Sequence, residues 1–204
     1  LAGAAPWQAE VRVRGKRADF NLDSTLQGVS SSLPPPFNKG AGERLALRVD
    51  KAALPLRGGV AREQIDVRLG QVLNAQFIRA RQGNAFVIER GGIGIGEPAR
   101  LADKGVALFV SQDRLDLDRW RALFGRGAAA PALPLGLVAI QAGQLRVFGR
   151  EFNEVGLRLR PEASRWRIQL AAREAVGELT WDGGGQGRLS ADLKRLRLPG
   201  GESG

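Results

Sequence analysis

Cysteine, histidine, methionine and tyrosine do not occur among the 204 residues of this chain. Without cysteine there is no disulfide scaffold, no thiolate metal site and no redox pair; without histidine the commonest metal ligand and general base is gone. Catalysis would have to rest on paired carboxylates or on a serine with a lysine base. Aromatic residues are few, with four Trp and eight Phe. No run approaches the roughly 20 consecutive apolar residues of a membrane-spanning helix, and the chain does not open with the charged, apolar and small-residue succession of a signal peptide. It opens at Leu1 and closes in the polar run Gly200 to Gly204. These ends are expected of a piece cut from a longer protein, with residues 200 to 204 a disordered tail and residues 1 to 204 one β-rich segment.

The residual routes to chemistry are weak. Asp113, Asp116 and Asp118 lie close together, but Asp116 and Asp118 fall in a first helical turn, where carboxylates cap free amides and favour the helix dipole. Ser30, Ser31 and Ser32 have no GxSxG elbow around them, and Lys39 follows without a matching motif. The glycine run Gly91 to Glu97 lacks GxGxxG spacing and is followed by Pro98, and Gly183 to Gly187 lacks the lysine of a P-loop. Both runs are read as hairpin turns. No catalytic residue, metal or cofactor is expected.

What is present is positive charge and alternation. The net charge is +10, from 31 Lys and Arg against 21 Asp and Glu. The arginines are scattered singly between apolar residues, as in Val11 to Arg14, Leu157 to Arg160 and Trp166 to Leu170. That is the pattern of the wet face of a sheet. There is no basic cluster interleaved with exposed aromatics and no recognition helix, so nucleic acid is not an expected partner; anionic lipid headgroups remain a secondary one.

Period-2 alternation runs through almost the whole chain and signals half-buried antiparallel strands. It is clearest at Phe20, Leu22 and Ser24, and recurs at Leu45, Leu47 and Val49, at Ile65, Val67 and Leu69, at Leu73, Ala75 and Phe77, and at Val106, Leu108 and Val110. Towards the C-terminus it returns at Val155, Leu157 and Leu159, at Trp166, Ile168 and Leu170, at Leu179 and Trp181, and at Leu189, Ala191 and Leu193. The apolar phase then slips by one residue at Leu196, which predicts a β-bulge or break. About a dozen strands are expected, separated by Gly58-Gly59, Gly91-Gly92, Gly183 to Gly185, a Pro-rich loop over 28 to 42 and a second loop over 126 to 134.

One stretch has helical spacing instead. Leu117, Trp120, Leu123 and Phe124 recur at the helical period, with Asp116 as N-cap, Leu115 and Trp120 as a hydrophobic staple, and Gly125 as C′. A short amphipathic helix over 116 to 125 is expected to cover an end or a face of the sheet. The fold class is therefore mainly β, a continuous antiparallel sheet that is curved or rolled into a groove or half-barrel. Periodicity alone does not separate a sandwich, a barrel and a curved trough.

Six segments in order carry a resemblance: Thr25 to Val49 with its loop LPPPFNKGAGE, Ile88 to Ala99, Leu115 to Phe124, Phe148 to Arg160, Trp166 to Trp181 and Gly187 to Pro199. Together they resemble the YhdP group of the AsmA-like family of large envelope proteins, which is related to the TamB-like and YdbH-like proteins. The resemblance implies a parent anchored in the inner membrane by an N-terminal helix, with a long β-rich periplasmic part that carries phospholipids towards the outer membrane along an apolar groove. It implies no catalytic motif. Under that reading the groove is lined by Phe20, Leu22, Leu47, Val49, Val67, Leu69, Phe77, Leu108, Val110, Leu157, Leu159, Trp166, Ile168, Leu170, Leu179 and Trp181. The partners are then phospholipid acyl chains and neighbouring segments of the parent, with membranes reached only through the full-length protein. The alternative is that the same residues form a closed core in a structural or partner-binding module of the envelope.

Overall fold

Alternation becomes strand nearly everywhere. In the computed structural model the described residues are 1–15, 17–124, 133–183 and 187–197, and they hold fourteen strands and one helix. Contacts divide the chain into two compact units, Leu1–Ala107 and Leu108–Gly204.

The first unit contains β1 (Ala2–Gly3), β2 (Trp7–Arg14), β3 (Arg17–Ser24), β4 (Val29–Ser30), β5 (Leu47–Arg57), β6 (Val60–Leu69), β7 (Leu73–Gln82) and β8 (Ala85–Ile95); the division falls inside β9 (Gly105–Asp116). Strands β2, β3, β5, β6, β7 and β8 are neighbours in that order, each pair antiparallel. The skipped β4 pairs with β1 in a two-stranded ribbon. Beyond it the Pro-rich segment leaves the sheet, as three consecutive prolines without backbone donors require. Lys39 is buried there, its Nζ donating to the Val29 carbonyl at 2.7 Å and the Gly40 carbonyl at 3.0 Å.

Two glycine pairs behave differently. Gly58 and Gly59 join β5 to β6 with φ of +57° and +76°, the left-handed pair that a two-residue hairpin needs. Gly91 and Gly92, expected as a turn, lie inside β8, so the whole Gly91 to Glu97 run is not a hairpin turn. The glycines are there for space. A Cβ on Gly92 would stand 2.2 Å from the Arg100 carbonyl oxygen, and one on Gly94 2.1 Å from that of Glu97. The chain after β8 folds back onto these positions, tied by Asn74, whose Nδ2 donates to the Glu97 carbonyl at 2.9 Å and whose Oδ1 accepts from the Ala99 N–H.

The second unit holds α1 (Leu117–Phe124), β10 (Leu135–Val147), β11 (Arg150–Glu162), β12 (Arg165–Ala171), β13 (Ala175–Asp182) and β14 (Arg188–Leu196). Strands β10 to β14 follow one another in sequence order, again antiparallel. The expected bulge is present. Gly177 pairs with Leu193 but Val176 pairs with Arg195, which leaves Lys194 as the extra residue. The helix begins where the capping signal placed it: the Asp116 Oδ1 accepts the Arg119 N–H at 3.0 Å, the side-chain-to-N3 bond of an N-cap. The C′ assignment of Gly125, nearly all of the loop over 126 to 134, the centre of the Gly183 to Gly187 turn and the tail lie outside the described residues.

The helix packs against β10 and is clamped to the β10–β11 hairpin by Asp118, whose two carboxylate oxygens accept the Phe148 and Gly149 N–H groups, each at 2.8 Å. The guanidinium of Arg121 sits 4.9 Å from the centroid of the Phe148 ring, within cation–π range. Neither unit's sheet closes on itself: β2 pairs only with β3, and β14 only with β13. The expectation of an antiparallel β fold with one short helix holds among the described residues.

Candidate functional site

Strand register decides which side chains share a face, because residues paired across an antiparallel ladder project to the same side. In the first unit Leu22 pairs with Ala9 and Val49, Val49 with Val67, Val67 with Ala75, and Ala75 with Ile93. One row is thus apolar across six strands. The next row, two residues along, runs Trp7, Ser24, Leu47, Leu69, Leu73 and Ile95, and the row on the other side holds Val11, Phe20, Ile65 and Phe77. All seven first-unit candidates, from Phe20 to Phe77, therefore fall on one face.

The opposite face is polar and internally bonded. Arg48 Nε donates to Asp50 at 2.9 Å, Asn21 donates to the same carboxylate at 2.6 Å, and Asp66 accepts from Gln64 at 2.7 Å and from Gln76 at 2.9 Å. The Arg48 hydrogen bond holds the Asp50 carboxyl below its ordinary range, with Asn21 assisting against a small burial penalty.

The second unit repeats the division. Val138, Leu159, Ile168, Leu179 and Ala191 form one cross-strand row, and Ile140, Leu157, Leu170, Gly177 and Leu193 the next. On the far side Pro161, Trp166, Trp181 and Leu189 continue it. The seven candidates from Leu157 to Trp181 again share one face, while Arg158, Gln169, Glu178 and Asp192 form the row behind it. Leu108 and Val110 lie two apart on β9 and so share a side of that strand, Leu108 half-buried and Val110 buried.

These faces are not buried like a core. Fully buried large side chains are nearly absent, Val106 being the one at under 2 % exposure among the described residues. Phe20, Leu22, Val49, Val67, Leu157, Leu159, Ile168 and Leu170 are all half-buried, and Trp7, Val11, Trp181 and Leu189 are exposed. Within the first unit the strands contact chiefly their own sheet neighbours, and no described element of that unit forms a second layer. Rows of this length left half-open amount to an apolar surface available to a ligand. At the Trp7, Ser24 and Leu47 end a cleft of about 720 Å³ opens, lined also by Pro6 and Ala46 and by the polar Arg48 and Arg68.

Sequence reading missed one feature of the first face. Between Phe20 and Ile65 stands Lys51, and the next row holds Glu63 and Arg79, three charges in the apolar phase of β5, β6 and β7. Glu63 is buried; Lys51 Nζ lies 3.5 Å from its Oε2, and Arg79 Nη2 hydrogen-bonds its Oε1. The signal was available strand by strand. Each of the three is the charged residue that interrupts an otherwise apolar alternation: Leu47, Val49, Lys51; Glu63, Ile65, Val67; Ala75, Phe77, Arg79.

Among the described residues no helix is long and apolar enough to cross a membrane, and no group of three or more acidic, His or Cys side chains could hold a metal ion. The molecule is thus defined as a β-sheet protein with amphipathic sheets whose apolar faces are largely half-buried. The family model described as YhdP protein matches residues 1–204, and the chain belongs to the YhdP family of envelope proteins related to lipid transport. Searches of curated proteins and of solved structures give no match.

Proposed function

We propose that this chain is a non-catalytic segment of a bridge-like phospholipid transport protein, working in the periplasm within a parent anchored in the inner membrane. Its apolar sheet faces hold acyl chains while the arginine-rich faces meet water, and the parent thereby supports outer-membrane lipid homeostasis and the permeability barrier. One observation supports this reading above the others: cross-strand rows four to six strands wide are apolar on one side, charged on the other and only half-buried. A structural module would bury that area, since apolar surface left in water forgoes roughly 25 cal/mol per Å². Membership of the YhdP family points the same way. The edge strands β2 and β14 would pair with neighbouring segments of the parent.

Native mass spectrometry of the folded 204-residue chain tests the proposal. Phospholipid that co-purifies and dissociates only on activation is the expected result. A well-folded preparation that neither carries nor takes up phospholipid would favour a structural or partner-binding β module of the envelope.

A further inference from the structure

Building on the acyl-chain reading above, we propose that Lys51 and Arg79, held by Glu63 on the apolar face of the first unit, form a binding site for the phosphate group of a lipid whose chains lie along the rows beside it. The placement is specific. From Glu63 to Leu69 along β6 is six residues, about 20 Å of strand at ~3.4 Å each. On β6 the positions in phase between them are apolar, Ile65 and Val67, as are Ala75 and Phe77 on β7. An amphiphile with its chain on those residues would bring its head to the three charges.

The charge count favours an anion. One carboxylate faces two cations, and Arg81 two residues along β7 shares their side, so this part of the face carries a net positive charge. Arg79 hydrogen-bonds Glu63 through Nη2, while its Nε is enclosed and out of a ligand's reach. Its guanidinium lies 5.7 Å from the centroid of the Phe86 ring, within cation–π range. Both cations remain about one-third exposed, Lys51 at 31 % and Arg79 at 32 %, whereas Glu63 is at 7 %. A ligand can therefore reach the cations but hardly the acid.

Lys51 also borders a cleft of about 250 Å³. It opens where β3 and β5 part: their pairing ends at Phe20 and Lys51, and the Asp19 carboxylate takes the Ala53 N–H at 2.9 Å. The other carboxylates of that cleft are engaged by guanidinium groups, Glu10 by Arg12 at 2.7 Å and Asp50 by Arg48 at 2.9 Å. The Lys51 ammonium has Glu63 as its ion-pair partner, 3.5 Å away.

The experiment measures binding of three probes to the purified chain by calorimetry, each detergent below its micelle threshold: dodecyl phosphate, dodecyl maltoside and inorganic phosphate. Dodecyl phosphate is expected to bind about tenfold more tightly than dodecyl maltoside, the order of one charge-assisted hydrogen bond. Lys51→Gln and Arg79→Gln should each remove most of that preference and leave dodecyl maltoside unchanged. Glu63→Gln should raise dodecyl phosphate affinity, because it takes away the competing anion; a salt bridge with a purely structural role predicts no such gain. If Glu63→Gln fails to fold, Lys51→Gln at the partly exposed position carries the test.

Equal binding of the two detergents by the unaltered chain would overturn the phosphate site and leave the acyl-chain reading standing. Inorganic phosphate displacing dodecyl phosphate at equal concentration would make this a free-anion site and overturn the lipid assignment. If neither detergent binds, the acyl-chain reading itself falls.

Discussion

The two units carry the same kind of apolar face, built from the same cross-strand alternation, yet they treat charge differently. In the first, Lys51, Glu63 and Arg79 stand among Phe77, Ile65 and Phe20. In the second, the rows from Ile140 to Leu193, from Val138 to Ala191 and from Pro161 to Leu189 hold no charged side chain. A uniform apolar surface binds chains without regard to what they carry; one with a paired carboxylate and an excess cation discriminates by head.

The largest effect should come from placing a charge on the face that has none. Ile168→Asp puts a carboxylate in the middle of a row with Leu159 and Leu179 on either side. It is expected to abolish uptake of dodecyl maltoside by the second unit and lipid passage by the full-length parent. Arg158→Asp, on the reverse of the neighbouring strand, should leave both intact. Circular dichroism must first show that each variant folds, since the same substitution in a closed core would unfold the chain. A folded Ile168→Asp variant that binds as well as the unaltered chain would remove this strand from the lipid surface.

A smaller contrast lies in the glycines of the two sheets. Gly92→Ala in the first unit drives a methyl group into the Arg100 carbonyl and must displace the segment that folds back on β8. A loss of about 1–3 kcal/mol in urea unfolding is expected, as for other overpacked sites. Gly156→Ala in the second unit meets only the Ala171 carbonyl oxygen, at 3.8 Å. It should be neutral, or stabilising by up to about 1 kcal/mol through the smaller entropy of the unfolded chain.

The smallest effect is a pH dependence of helix docking in the second unit. The Gly149 N–H, joined by the Phe148 N–H, holds the Asp118 carboxyl below its ordinary range against the opposing effect of burial. A depressed folded pKa stabilises above the unfolded value and loses that contribution as pH falls through the folded one. Helix docking should therefore be fully present at neutral pH and weaken progressively below about pH 4. Hydrogen exchange of the helix amides in Asp118→Asn should show the weaker docking at all pH values and a flatter acid limb.

The fold was readable because alternation is a local signal: each strand declares its own two sides. The helix was readable for a like reason, since Asp116 and the spacing of Leu117, Trp120 and Leu123 are all contained in one turn and its neighbours. The Gly91 to Glu97 run was misread because a glycine placed for space and a glycine placed for a turn look alike until the chain that packs on it is known. The three charges were in plain view individually and passed over, because a single Lys or Arg in an apolar phase also marks the fraying end of a strand.

Sequence by itself determined that the chain is β, where its helix and most of its strands lie, that a bulge interrupts the last strand, and which residues of each strand are apolar. Those properties follow from neighbours one to four positions apart, over which backbone geometry is fixed. Tertiary structure alone decided that Lys51, Glu63 and Arg79 meet, and that the apolar rows stay half-open within each unit. The first depends on register across three strands, set by hairpin lengths; the second depends on what covers a face, and neither is a property of any single strand.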